Sequence, residues 1–204
     1  MKKDTNKKKL RILAAGDLHG NSAISEMLAK KAKENDVDLV ILLGDIHGMN
    51  NSDNLIGPFK KANKKVIFVP GNWDSTFESN MIEAVYGIKN INGKYVIYED
   101  TGIIGIGNPD FQLYLEEESV FLKLKSNFEK VKTKNKILVS HLHAYGTKTE
   151  FSGFQGSLAL RKAIDNFQPD FFLSAHIHEA EGIEEKIGKT KLISVGKKGR
   201  IIEI

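Results

Sequence analysis

The chain contains no cysteine. Disulfides, thiolate metal sites, iron–sulfur clusters and a cysteine nucleophile are therefore excluded, and the composition fits a reducing cytoplasm. Arginine is almost as scarce. Arg11, Arg161 and Arg200 are its only arginines, so the net charge of +4 comes from lysine. Lys2, Lys3, Lys7, Lys8 and Lys9 crowd the stretch 1–9, which reads as a basic flexible tail ahead of one domain at 10–204. There is no arginine-rich stripe and no ladder of aromatics, so nucleic acid is a possible partner but not a favoured one. No apolar run reaches the roughly 20 residues that span a membrane, and no membrane partner is expected. The tail leads directly into a strand and does not resemble a secretory signal. The apolar share of 41% and charged share of 27% are ordinary, and 204 residues are enough to bury a real core. The oligomeric state stays open.

Alternating apolar and helical segments fill that domain. Leu10 to Ala15 reads as a buried strand, followed by a helix over Ser22 to Glu34 with Ser22 as its N-cap. The unit repeats with a strand over Asp38 to Leu43, a weaker helix over Asn51 to Lys61, and a strand over Val66 to Val69. A helix at Thr76 to Val85 precedes short strands at Tyr95 to Tyr98 and Ile103 to Ile106. Glu116 to Lys132 and Leu158 to Phe167 read as helices, and Lys136 to Ser140 and Phe171 to Ser174 as strands. The C-terminal part reads as a hairpin turning near Gly188-Lys189, then a last strand at Arg200 to Ile204. The glycines at 102, 105 and 107 lack the dinucleotide-binding spacing, so they read as a strand that packs closely.

The histidines carry the chemistry. All six fall into short pairs behind apolar runs: Asp17-Leu18-His19, Asp45-Ile46-His47, His141-Leu142-His143 and His176-Ile177-His178. Gly71-Asn72-Trp73-Asp74 also follows such a run. Residues i and i+2 of an extended segment point to the same side, so each pair can aim two ligands at one place. Asp17, Asp45 and Asn72 recur at near-equal spacing, which puts them at equivalent ends of successive parallel strands. Imidazoles and carboxylates gathered at strand ends indicate a metal enzyme.

These clusters, in this order, resemble the motifs of the calcineurin-like metallophosphoesterases, most closely the small single-domain prokaryotic members. The resemblance runs from Leu10 to about Gly196. It implies a four-layer α/β/β/α sandwich of two mixed sheets with a dinuclear centre at the strand ends. It also implies that Asp45 bridges the metals, that Asp17, His19 and His178 complete one site, and that Asn72, His141 and His176 complete the other. Mixed nitrogen and oxygen donors suit two divalent transition metal ions, with manganese favoured and iron, zinc, nickel or cobalt as alternatives. A metal-bridging hydroxide would be the nucleophile.

Departures from the family pattern shape the expected substrate. Trp73 stands where the third motif commonly has a histidine that protonates the leaving oxygen, and an indole cannot act as that acid. Asp74 thereby loses its usual partner and reads as a turn or supporting residue, while Trp73 either packs over the site mouth or stacks on a base or aryl group. His47 and His143 are left over as a replacement acid or as rim residues, with His143 the first choice for specificity. No arginine follows Asp45, which argues against a protein phosphatase. Arg161, similar to a helix residue of close relatives, is read as an ion pair with Asp165. The expected activity is phosphodiester hydrolysis of a small phosphodiester or nucleotide-like substrate. Phosphomonoesterase activity is the alternative. A non-catalytic binding scaffold, as in one retromer subunit of this fold, would show eroded ligands.

Overall fold

The computed structural model describes residues 9–48 and 54–204. The expected tail lies outside them except for Lys9, as does the expected helix start at Asn51. The chain runs β1 (Arg11–Ala15), α1 (Ser22–Glu34), β2 (Leu39–Leu43), α2 (Gly57–Lys61), β3 (Lys65–Val69), α3 (Thr76–Tyr86), β4 (Lys89–Asn90), β5 (Tyr95–Tyr98) and β6 (Thr101–Ile106). It continues with α4 (Glu117–Lys130), β7 (Asn135–Ser140), α5 (Leu158–Phe167), β8 (Phe171–Ser174), β9 (Glu184–Ile187), β10 (Thr190–Ser194) and β11 (Arg200–Glu203).

The strands form two mixed sheets, ordered β11-β1-β2-β3-β4 and β5-β6-β7-β8-β10-β9. Their inner strands are parallel, while β11, β5 and β9 run antiparallel to their neighbours. The period-2 alternation of each strand explains the layering. Ile12, Ala14, Ile41 and Val69 of the first sheet meet Ile103, Val139 and Leu173 of the second between the sheets. The intervening residues Leu13, Val40, Leu42 and Phe68 face outward, onto Leu28, Phe59 and Ile82 of α1, α2 and α3. Leu138 and Phe172 do the same toward Leu124 and Phe128 of α4 and Leu160 and Ile164 of α5. Strands covered on both faces need continuous apolar runs, which is why these segments show no polar alternation. Fully burying each such side chain contributes about 1.5–3 kcal/mol.

Local chemistry shifts some expected boundaries. The N-cap of α1 is Asn21 rather than Ser22: its side chain accepts from the N–H groups of Ala23 at 3.0 Å and Ile24 at 3.3 Å. Helix α2 starts at Gly57, with Pro58 inside its first turn, where proline's fixed φ is favourable and its missing N–H costs nothing. A capping box between Ser75 and Glu78 opens α3 directly behind the third motif. The short β4 was not expected. The glycines of the 102–107 stretch permit close packing as expected: a Cβ at Gly105 would lie 2.6 Å from Ile91 Cγ1, and one at Gly107 would collide with the Pro70 carbonyl.

Candidate metal centre

The carboxyl ends of β1, β2, β3, β7 and β8 meet where the two sheets face each other, and each delivers one of the sequence clusters. Four of the seven expected ligands leave their strands in the left-handed region: Asp17 at φ 58°, His19 at 45°, Asp45 at 50° and His176 at 71°. Such conformations cost on the order of 1–3 kcal/mol each for residues other than glycine, and concentrate at functional sites. Glycines let the loops approach. A Cβ on Gly44, itself at φ 87°, would stand 2.5 Å from Gly71 N, and one on Gly71 would overlap Asp45 Oδ1.

The seven side chains converge. His19 Nε2 lies 3.0 Å from His178 Nε2, and His178 Nε2 lies 3.7 Å from Asp17 Oδ1. His141 Nε2 lies 3.1 Å from Asn72 Oδ1 and 3.2 Å from His176 Nδ1. Asp45 Oδ2 sits between the two groups, 3.7 Å from His19 Nε2 and 3.5 Å from His141 Nε2. Asp17, His19 and His178 form one set of potential ligand atoms within 4.8 Å of one another, and Asp45, His141 and His176 form another.

The donor chemistry fits a cation in each set. His141 Nδ1 faces the Leu43 carbonyl at 2.7 Å, so Nδ1 carries the proton and the Nε2 lone pair of the neutral ring points into the centre. There it meets the Asn72 amide and the Asp45 carboxylate. Two imidazole nitrogens 3.0 Å apart, His19 and His178, repeat the pattern, and Asp17 Oδ2 is buried without a hydrogen-bond partner. Lone pairs aimed at one another are stabilised by a shared positive charge.

Protons supply that charge when nothing else does. Burial disfavours a charged His141, but the hydrogen bond and charge of Asp45, aided by Asp17, outweigh it and raise His141 to about 9. Burial raises Asp17 to about 6, with His141 and His178 restraining the rise. Burial, then the charge of His141, lowers His176 to about 4. Burial opposes ionisation of Asp45 too, yet the adjoining His141 and the Trp73 backbone N–H hold its carboxyl below the usual range.

The leftover histidines separate. His47 is half-buried beside the centre, with Nδ1 3.1 Å from Asp74 Oδ1 and its backbone N–H 2.8 Å from the same oxygen. Asp74 also accepts from Gly71 N at 2.9 Å and Ile46 N at 3.3 Å, so it ties the second loop to the third. The expectation that Asp74 has lost its partner is corrected: His47 replaces the absent neighbour. His143 is corrected as well, because it is buried rather than at the rim. Its Nε2 faces the Phe154 carbonyl at 3.1 Å, and the bridge between Ala144 and Ser157 folds the segment over it. Arg161 pairs with Asp165 at 3.0 Å, as expected.

Trp73 stands at the mouth, its backbone N–H donating to Asp45 Oδ1 at 2.9 Å and its ring edge-on to His19 at 6.2 Å. Two neighbouring aromatics escaped the sequence reading. Phe111 packs edge-on to Trp73 at 5.9 Å, and Phe154 meets His176 at 5.0 Å. Neither lies in a motif. The Asn-Pro-Asp turn before Phe111 and the glycine before Phe154 were the only local signals of loops there.

This architecture and centre define a metal-dependent phosphoesterase. The family model of the calcineurin-like phosphoesterases matches residues 10–180, and the chain belongs to that family, whose members use a dinuclear metal centre. A search of curated proteins finds no significant match. Among solved structures, the protein TT1561 of Thermus thermophilus is 19% identical with a TM-score of 0.73, covering 93% of this chain and 91% of that one. A dimetal phosphatase from Danio rerio is 11% identical with a TM-score of 0.64, covering 94% and 88%. An archaeal phosphodiesterase is 15% identical with a TM-score of 0.56, covering 96% and 100%. At these identities the likeness is one of fold. Among the described residues no helix is long and apolar enough to cross a membrane.

Proposed function

We propose that the chain is a phosphodiesterase acting on a small, nucleotide-like diester. Asp17, His19 and His178 would hold one divalent transition cation and Asn72, His141 and His176 the other, with Asp45 shared and manganese favoured. When bound, such a pair supplies the Lewis acidity that neutralises ester oxygens and lets a water lose its proton near neutral pH. Asp45 and Asn72 orient the centre, and the Trp73 backbone N–H fixes the Asp45 carboxylate.

The observation that carries the diester preference is the cleft of about 650 Å³ opening beside the centre, walled by Trp73, Phe77 and Phe111 with His47, Ser75 and Glu78. No lysine or arginine lines it among the described residues. A diester brings a second substituent, and these largely apolar walls can accommodate it. His47 is the proton donor of this reading. Asp74 holds its Nδ1, and although burial opposes the charged ring, Asp74 and then Glu78 raise its pKa above the ordinary value. His143, buried with its Nε2 at the Phe154 carbonyl, takes no part in this reading.

Hydrolysis of bis-p-nitrophenyl phosphate and p-nitrophenyl phosphate by the manganese-loaded protein tests the preference. The expected kcat/KM favours the diester by at least about tenfold. A preference for the monoester would overturn it.

A further inference from the structure

The phosphodiesterase reading names a nucleotide-like diester without saying which residues would recognise its base, and the cleft beside the centre bears on that question. Phe111 is 70% exposed and Phe77 is 72% exposed, although both are large aromatics that burial would favour. Phe111 also sits at φ 60° directly after Asp110 at φ 62°, a conformation that bulky residues rarely adopt. It is held there by the very loop that carries Trp73: Phe111 N–H donates to the Asn72 carbonyl at 2.9 Å, and Asp110 N–H to the Asp74 carbonyl at 3.0 Å. Asp110 is anchored in turn, its carboxylate accepting from Thr76 N at 2.8 Å and Thr76 Oγ1 at 2.5 Å. A strained, exposed aromatic fixed against the third motif is placed for contact with something outside the chain.

The rings leave room for a flat guest. Trp73 and Phe111 meet at an interplanar angle of 71° and Trp73 and His19 at 84°, so neither pair is stacked face to face. One wall of the cleft is polar. Ser75 and Glu78 line it, and the Glu78 carboxylate is fixed by the Ser75 N–H at 2.9 Å and hydroxyl at 2.8 Å. His47 lines it as well. Trp73 joins the two places: its side of the loop lines the cleft, and its backbone N–H donates to Asp45 of the metal centre.

Resting on the phosphodiesterase reading, we propose that this cleft is a nucleobase subsite: it stacks the base of a nucleotide whose phosphate lies at the metal centre. A bare aryl group would use only the aromatic walls. A base also presents amino and ring N–H groups, for which a fixed carboxylate is the matching acceptor, and stacking on aromatic side chains tolerates any base. The subsite thus selects nucleotides as a class, with Trp73 and Phe111 as the stacking surfaces and Glu78 at the hydrogen-bonding edge.

Trp73 is the chain's only tryptophan, so its fluorescence reports directly on the cleft. The test titrates the manganese-loaded protein with adenosine 5′-monophosphate and with ribose 5-phosphate, which keeps the phosphate and lacks the base. The nucleotide is expected to bind at least about tenfold more tightly, and Phe111→Ala and Phe77→Ala each to weaken it about fivefold or more while leaving ribose 5-phosphate unchanged. Both side chains are exposed, so truncation removes little from the core. Equal binding of the two ligands, or equal weakening of both by Phe111→Ala, overturns the subsite. Hydrolysis of a glycerophosphodiester, which has no base, is measured alongside. If it proceeds while base preference is absent, the subsite alone falls. If base-dependent binding is present without hydrolysis of any diester, the subsite stands and the phosphodiesterase reading falls.

Discussion

His47 and Asp74 form a hydrogen-bonded pair, ring nitrogen to carboxylate oxygen at 3.1 Å, across the two loops that frame the metal centre. The pair links the second motif to the third and sets an imidazole at the edge of the cleft, on the same loop as Asp45. Trp73 cannot give a proton to a departing oxygen, and in the proposed mechanism the His47 imidazole takes that role.

The consequence is a dependence on the leaving group. His47→Ala is expected to lower kcat on an alkyl diester by about 10²-fold, and on a p-nitrophenyl diester by less than about fivefold, because a nitrophenolate departs without help. Asp74→Asn should fall in the same order with a smaller loss. Equal losses on both esters would assign His47 a structural role instead.

Protonation of the metal-free centre gives a second expectation. His141 is raised from its ordinary value to about 9 by Asp45 and Asp17 despite burial. A raised folded-state pKa stabilises fully below the unfolded value of about 6.5 and is lost as pH rises through the folded one. The Tm of chelator-treated protein should therefore fall by at least about 5 °C between pH 6.5 and pH 9. A bound cation would take the place of that proton, so the manganese-loaded protein should hold its Tm across the same window. A flat profile without metal would contradict the account.

Close approach of the loops at Gly71 gives a third. A Cβ there would overlap the Asp45 carboxylate and lie within contact of its backbone. Gly71→Ala should cost on the order of 2–3 kcal/mol, seen as a Tm lower by roughly 5–10 °C, and should weaken manganese binding at least about tenfold. Unaltered metal affinity would show that the loops tolerate separation.

Much of this was legible from the chain, for reasons that particular residues make plain. Helix α5 and strand β8 appear over the expected residues because apolar periodicity and flanking polar residues agree there. Asp17, Asp45 and Asn72 end successive parallel strands because the spacing between them is one strand–helix unit. What the sequence could not reveal is which side chains meet across loops. Nothing local to His143 shows that the bridge from Ala144 to Ser157 buries it. Nothing local to His47 shows that Asp74 is in reach. The left-handed turns at Asp17, His19, Asp45 and His176 fall on Asp and His, residue types that enter this region more readily than most, but the sequence alone does not say which of them do so.

The proposed sharing of Asp45 between two cations gives a fourth expectation. Asp45 Oδ2 stands between His19 and His141 at 3.7 and 3.5 Å. Asp45→Ala should reduce diester hydrolysis at least about 100-fold in saturating manganese, and His141→Ala should do the same. Circular dichroism would verify that each variant is folded. Retention of more than about a tenth of the activity in either would exclude that residue from the reacting centre.

The central claim is that these seven side chains hold two cations. Mass-spectrometric metal analysis of the wild-type protein, after manganese supplementation and removal of free metal, tests it most directly. The account predicts about two manganese ions per chain, with Asp45→Ala falling below one. Fewer than one ion per wild-type chain under those conditions would contradict it.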